Sequence, residues 1–135
     1  MEDVMDLLYE LKRKCISSDA EFSAHLNISD SEYNFFIVAS KCDTLNSRTI
    51  ADEMHLSLSR VSRIIDKLVK HGYLCRSIDD SDRRNILIEF TDKGKKLNAE
   101  IQDYRKQCEE RLLSNLPSEE LSAIKSGFKK VIDLL

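Results

Sequence analysis

Helix breakers are scarce in this chain: one proline and three glycines in 135 residues, a composition that excludes collagen-like and low-complexity chains and suits a helix-rich globular protein. Its four cysteines, Cys15, Cys42, Cys75 and Cys108, form no CxxC pair, and the three histidines, His25, His55 and His71, stand singly. Neither zinc nor a disulfide framework is therefore expected; free thiols in a reducing compartment are. No cofactor is implied. No apolar run reaches the roughly 20 residues that cross a bilayer, and the acidic start Met1-Glu2-Asp3 lacks the basic region of a secretory signal. The reading is a cytoplasmic protein without a membrane segment. A nucleophile elbow, a phosphate loop and a paired-acid motif are all missing, so no enzyme is expected. The length suits a single domain without room for a separate effector or catalytic domain.

A large net charge is missing too. The formal value is −3, but it is unevenly spread. Residues 1–46 hold 9 acidic and 4 basic groups, residues 47–97 hold 8 and 11, and residues 98–135 hold 7 and 6. Within Ser57–Arg76 five basic side chains face Asp66 alone. A basic centre between acidic ends is the footprint of a localised phosphate-binding surface.

Periodicity supplies the elements. Val4, Leu7, Leu8, Leu11, Cys15 and Ile16 mark an amphipathic helix over about Asp3–Leu26. A second helix starts at Ser29 or Asp30 and runs to about Cys42, burying Tyr33, Phe36, Ile37 and Phe35. Ser47 is read as the cap of a short helix, Arg48 to about His55, with Ile50, Ala51 and Met54 inward. In the next helix, about Leu58–His71, Val61, Ile64, Ile65 and Leu68 form one apolar face, and Arg60, Arg63, Lys67 and Lys70 share the other. Gly72 suits the left-handed position past its end. Two helices joined by a short turn, the second basic on its outer face, make a helix-turn-helix pattern.

After Gly72 the period changes. Tyr73–Ile78 and Asn85–Phe90 read as strands, and the polar residues 79–84 between them as a hairpin loop, which together form a wing. Thr91 can cap a long helix from about Asp92 to Leu113 carrying Leu97, Ile101, Tyr104, Cys108 and Leu112. Pro117-Ser118 opens a last helix with Leu121, Ile124, Phe128, Val131 or Ile132, and Leu135. The fold class is mainly α with a small β-hairpin wing. The apolar stripes at both ends exceed what one small lobe can cover, so a second copy of the chain is expected to bury part of them.

The stretch from Ser47 to Arg76 resembles the helix-turn-helix of the MarR (multiple antibiotic resistance regulator) family. Residues 79–94 resemble that family's wing, including an Asp-x-Arg element at Asp82 and Arg84 and the Leu-x-x-x-Thr-x-x-Gly run of Leu87, Thr91 and Gly94. The resemblance implies a single domain over 1–135. About 1–28 and 98–135 would be dimerisation helices, and about 29–97 a winged helix-turn-helix DNA-binding lobe. It further implies a homodimeric transcription regulator, a repressor on a near-palindromic double-stranded operator, with a recognition helix from about Leu58 and a wing in the minor groove. Control by a small aromatic or phenolic effector is part of the same expectation.

Candidate contacts follow from chemistry. Arg60 and Arg63, near the start of the recognition helix, can donate bidentately to guanine. Ser57, Ser59 and Ser62 suit phosphates or bases, Ser57 equally an N-cap. Lys67, Lys70 and Arg76 suit phosphate or a solvated surface, and Arg48 and Thr49 open a short helix whose amides can receive phosphate. Arg83 is assigned to the narrow minor groove and Arg84 to a pair with Asp82, the two being exchangeable. Tyr33 and Phe36 are candidates either to line an effector pocket or to fill the core. Cys15, beside Lys12, Arg13 and Lys14, is a candidate redox sensor whose ordinary reading is a partly buried inert thiol, while Cys42, Cys75 and Cys108 are read as packing residues. Two alternatives remain: a thiol-based regulator acting through Cys15, and a winged helix that binds protein without DNA.

Overall fold

Side-chain caps set most of the helix starts. In the computed structural model, which describes residues 1–135, the elements are α1 (Val4–His25), α2 (Asp30–Ala39), α3 (Ser47–Met54), α4 (Leu58–Lys70), β1 (Leu74–Asp79), β2 (Asp82–Phe90), α5 (Asp92–Asn115) and α6 (Ser118–Leu134). Asp3 with Asp6, and Ser29 with Glu32, form capping boxes at α1 and α2. Ser57 caps α4, and Thr91 Oγ1 accepts the Gly94 N–H at 3.0 Å at the start of α5. α3 differs from expectation. Asn46 is its cap, accepting the Thr49 N–H at 2.8 Å, because Ser47 is turned inward and fully buried.

The chain forms two compact units, Met1–Asn98 and Ala99–Leu135. In the first, Phe35, Phe36, Ile50, Val61, Ile65 and Leu68 are the largest fully buried apolar side chains. Phe36 stacks on Phe90, centroids 5.5 Å apart, and meets Phe35 and Tyr73 edge-on, tying α2 to the hairpin. The end of α1 joins this unit through Phe22 against Tyr33 and through the Ser23 hydroxyl, which donates to Asp30 Oδ1 at 2.9 Å. Upstream, the α1 stripe leaves Val4, Leu7, Leu11 and Ile16 exposed.

β1 and β2 pair antiparallel, Leu74 opposite Phe90 and Asp79 opposite Asp82, with a bulge at Ile78/Asp79. The expected six-residue loop shrinks to Asp80-Ser81, since Asp79 Oδ1 accepts both the Ser81 N–H at 3.0 Å and its hydroxyl at 2.7 Å and folds the turn tightly. These bonds, the hydroxyl's first, hold the Asp79 carboxyl below its ordinary pKa.

In the second unit Ile101 is buried, whereas Leu112, Leu113, Ile124, Phe128 and Ile132 are exposed and α6 has no buried residue.

Candidate nucleic-acid interface

α4 presents the surface anticipated from its periodicity. Val61, Ile64, Ile65 and Leu68 are buried, which turns Arg60, Arg63, Lys67 and Lys70 outward, all exposed. Ser59 is exposed and Ser62 half-buried on the same helix. Ser57 acts first as the cap, its Oγ accepting the Arg60 N–H at 3.3 Å and lying 3.2 Å from Ser59 Oγ. α4 ends where Gly72, at φ +82°, takes the left-handed conformation and the Tyr73 N–H donates back to Leu68 O at 2.9 Å.

Two of the candidate arginines are already engaged. Arg76 pairs with Asp66, which fixes it against α4. Arg48 Nη2 lies 2.5 Å from Asp82 Oδ2, so the partner of Asp82 is an arginine of α3 and not the side chain of Arg84, whose main-chain N–H alone reaches Asp82, at 3.1 Å to Oδ1. The reason is that Asp82 opens β2 beside the start of α3, within reach of Arg48. Arg83 and Arg84 remain exposed, in a hairpin free of further pairing to them. The amides at the start of α3 are likewise occupied: Arg48 N–H donates to Asn85 Oδ1 at 3.2 Å and Thr49 N–H to Asn46. A phosphate there would displace existing bonds, which removes the reason for assigning Thr49 to it.

Tyr33 and Phe36 are core residues, 3% and 0% exposed. A cleft of about 320 Å³ in this unit is lined by residues such as Asn34, Ile37, Val38, Met54, Leu56 and Arg60 and not by Tyr33 or Phe36. Cys15 is exposed where partial burial was expected, Cys75 is exposed where packing was expected, and Cys42 and Cys108 are half-buried. Burial, followed by Glu53 and Asp43, pushes the Cys42 thiol up.

Asn46, Ser47 and Asn85 were missed as organisers of this surface. Polar residues beside strand and helix signals read as turn formers, and only the long-range bonds reveal what they join. Also unforeseen, Glu32 Oε2 is buried without a hydrogen bond and lies 3.4 Å from His71 Nδ1, setting the end of α4 beside α2.

The family model described as "MarR family" matches residues 40–86, a span that holds every candidate DNA contact named above. Over that span the chain is similar to the MarR family. The relatives it matches are described as HTH-type transcriptional regulators. Among the chain's relatives, the uncharacterized HTH-type transcriptional regulator YfiV of Bacillus subtilis is 28% identical over 102 residues, 76% of this chain and 64% of YfiV. YwaE of the same organism, with the same description, is 25% identical over 96% of this chain and 76% of its own length. The Staphylococcus aureus MepR–DNA complex superposes with a TM-score of 0.85 at 20% identity, covering 100% of both chains, which establishes the winged-helix fold.

Proposed function

We propose that this chain is a regulator of the MarR type that controls transcription as a homodimer binding a near-palindromic duplex, with α4 in the major groove and the wing in the flanking minor groove. The carrying observation is the two-sided character of α4. Its apolar face is fully packed, so the exposed Arg60, Arg63, Lys67 and Lys70 serve no need of the fold. Arg60 and Arg63 stand in the first half of the helix, where side chains reach base edges. Lys67 and Lys70 follow toward its end and suit phosphate. Arg83 enters the minor groove and Arg84 stays at the wing's backbone contacts. The MepR relative is known as a DNA complex, which agrees with this assignment.

Dimerisation brings two copies of α4 to successive half-sites, and the exposed apolar residues of α1 and α6 supply the surface for it. The regulator acts as a repressor by occupying the operator, and a small aromatic or phenolic effector lowers that occupancy. Selection of bound sequences from random duplex DNA tests the reading. Enrichment of a palindrome supports it, and a selected pool no different from the starting pool refutes it. Salt-dependent duplex binding separates this reading from a winged helix that binds only protein.

A further inference from the structure

The base of the wing is fastened to the start of α3 by side chains that DNA contact does not use. Ser47 is 0% exposed; its Oγ accepts the Ile86 N–H at 2.8 Å and donates to Asn85 Oδ1 at 3.2 Å. The same Oδ1 accepts the Arg48 N–H at 3.2 Å, while Asn85 Nδ2 donates to Asp79 Oδ2 at 3.2 Å. One amide thus joins α3, β1 and β2. On either side of it the Ile88 N–H donates to Leu45 O at 3.1 Å and Asn46 bridges to Leu87, and Arg48 reaches Asp82 on the outside.

A two-stranded hairpin alone is marginally stable and pivots on its base. Here a pivot would strand the buried Ser47 hydroxyl and the amides it serves, at a cost of about 1–3 kcal/mol for each unsatisfied group, so one orientation is selected. The chemistry needed at residue 85 is an acceptor with two lone pairs beside a donor, which a carboxamide supplies. An aspartate would lack the donor and would face Asp79.

We propose that Asn85 is a positioning residue for sequence readout: with Ser47 it sets the angle of the wing to α3, and so the placement of Arg83 relative to the recognition helix. The inference rests on the DNA-binding reading above. It places the determinant of flanking-sequence preference at a part-buried polar pair and not only at the wing tip.

The test uses the full chain with Asn85→Ala, Arg83→Ala and the double variant, on duplexes carrying the selected operator with A·T-rich or G·C-rich flanks. Asn85→Ala should lower the preference for A·T flanks by about tenfold, the scale of one lost base-step preference, while preferences at bases under α4 persist. In the Arg83→Ala background it should add less than about twofold, since both act through one contact. In the free protein, amide exchange at Arg48 and Ile86 should accelerate by about tenfold, with that of Leu68 unchanged. Should Asn85→Ala unfold by circular dichroism, Asn85→Asp, which keeps the acceptor but not the donor, takes its place in the same comparison. Unchanged flank preference, or an additive double variant, overturns the inference with DNA binding intact. Unchanged exchange at Arg48 and Ile86 overturns the fastening itself. A wild type that binds no duplex overturns the DNA-binding reading and this inference with it.

Discussion

Arg63 and Lys70 stand on the same exposed face of α4 yet should fail differently when removed. A base reader confers preference, whereas a phosphate neutraliser confers affinity alone. Arg63→Ala should lose about 1–3 kcal/mol on the preferred operator and relax base preference, and Lys70→Ala should weaken all duplexes alike and lower the salt slope by about one. Binding isotherms on operator and scrambled duplex at several salt concentrations distinguish the two. Asp79 makes a second residue-level case. Its carboxyl titrates below the usual value of 3.8 because Ser81, above all, bonds the charged form. A depressed native pKa means that the stabilisation is present above the ordinary carboxylate pKa and is lost as pH falls through the lower native value. Acid titration followed by NMR should therefore move the Ser81 and Asn85 resonances together below the usual range, and Asp79→Asn should abolish that movement.

At the level of elements, the junction between α4, the hairpin and α5 is closely packed. Thr91 Oγ1 donates to Gly72 O at 2.5 Å, and Lys93 Nζ donates to His71 O at 2.8 Å while lying over the Tyr73 ring. Gly94 sits so close that a Cβ there would fall 2.0 Å from the Tyr73 carbonyl oxygen. That oxygen accepts the Thr91 N–H at 3.1 Å and cannot retreat without breaking the joint. Gly94→Ala should cost about 1–3 kcal/mol or more as overpacking, a fall in Tm of roughly 5–15 °C. Gly72→Ala meets only Lys93 Cδ at 3.8 Å and carries the strain of its positive φ, about 1 kcal/mol. Thermal melts of the two variants check the order; a Gly72→Ala loss exceeding that of Gly94→Ala would contradict this account of the joint.

For the molecule as a whole, the exposed apolar residues set the expectation. Phe128 is 45% and Ile132 71% exposed on α6, with Val4 at 68% and Ile16 at 55% on α1. A scattering of such side chains is ordinary, but their recurrence along both helices calls for a covering surface. Light scattering at micromolar concentration should give twice the chain mass of 15.6 kDa. Phe128→Asp should shift the population to monomer, since each buried side chain of this size contributes about 1.5–3 kcal/mol, with the helical circular dichroism retained. A wild type monodisperse at the single-chain mass would end the homodimer proposal.

Short-range chemistry was legible in the residues themselves. The i, i+3, i+4, i+7 run of Val61, Ile64, Ile65 and Leu68 dictates which face of α4 is buried and therefore which basic side chains are exposed, because helical periodicity depends on the local chain alone. The capping bonds of Ser57 and Thr91 reach only three residues along the chain and Gly72 acts through its own backbone freedom, so these roles could be read locally, Ser57 as one of two readings. What needed the folded chain were choices among equivalent partners distant in sequence. Asp82 had Arg48, Arg83 and Arg84 as chemically suitable cations, and only the approach of the hairpin to α3 selects Arg48. Ser47 and Asn46 are both competent caps, and the burial of Ser47 against Asn85 and Ile86, 38 and 39 positions away, assigns the cap to Asn46. Spacing governs contacts within one turn of helix; contacts between elements are decided by packing geometry, which no local pattern encodes.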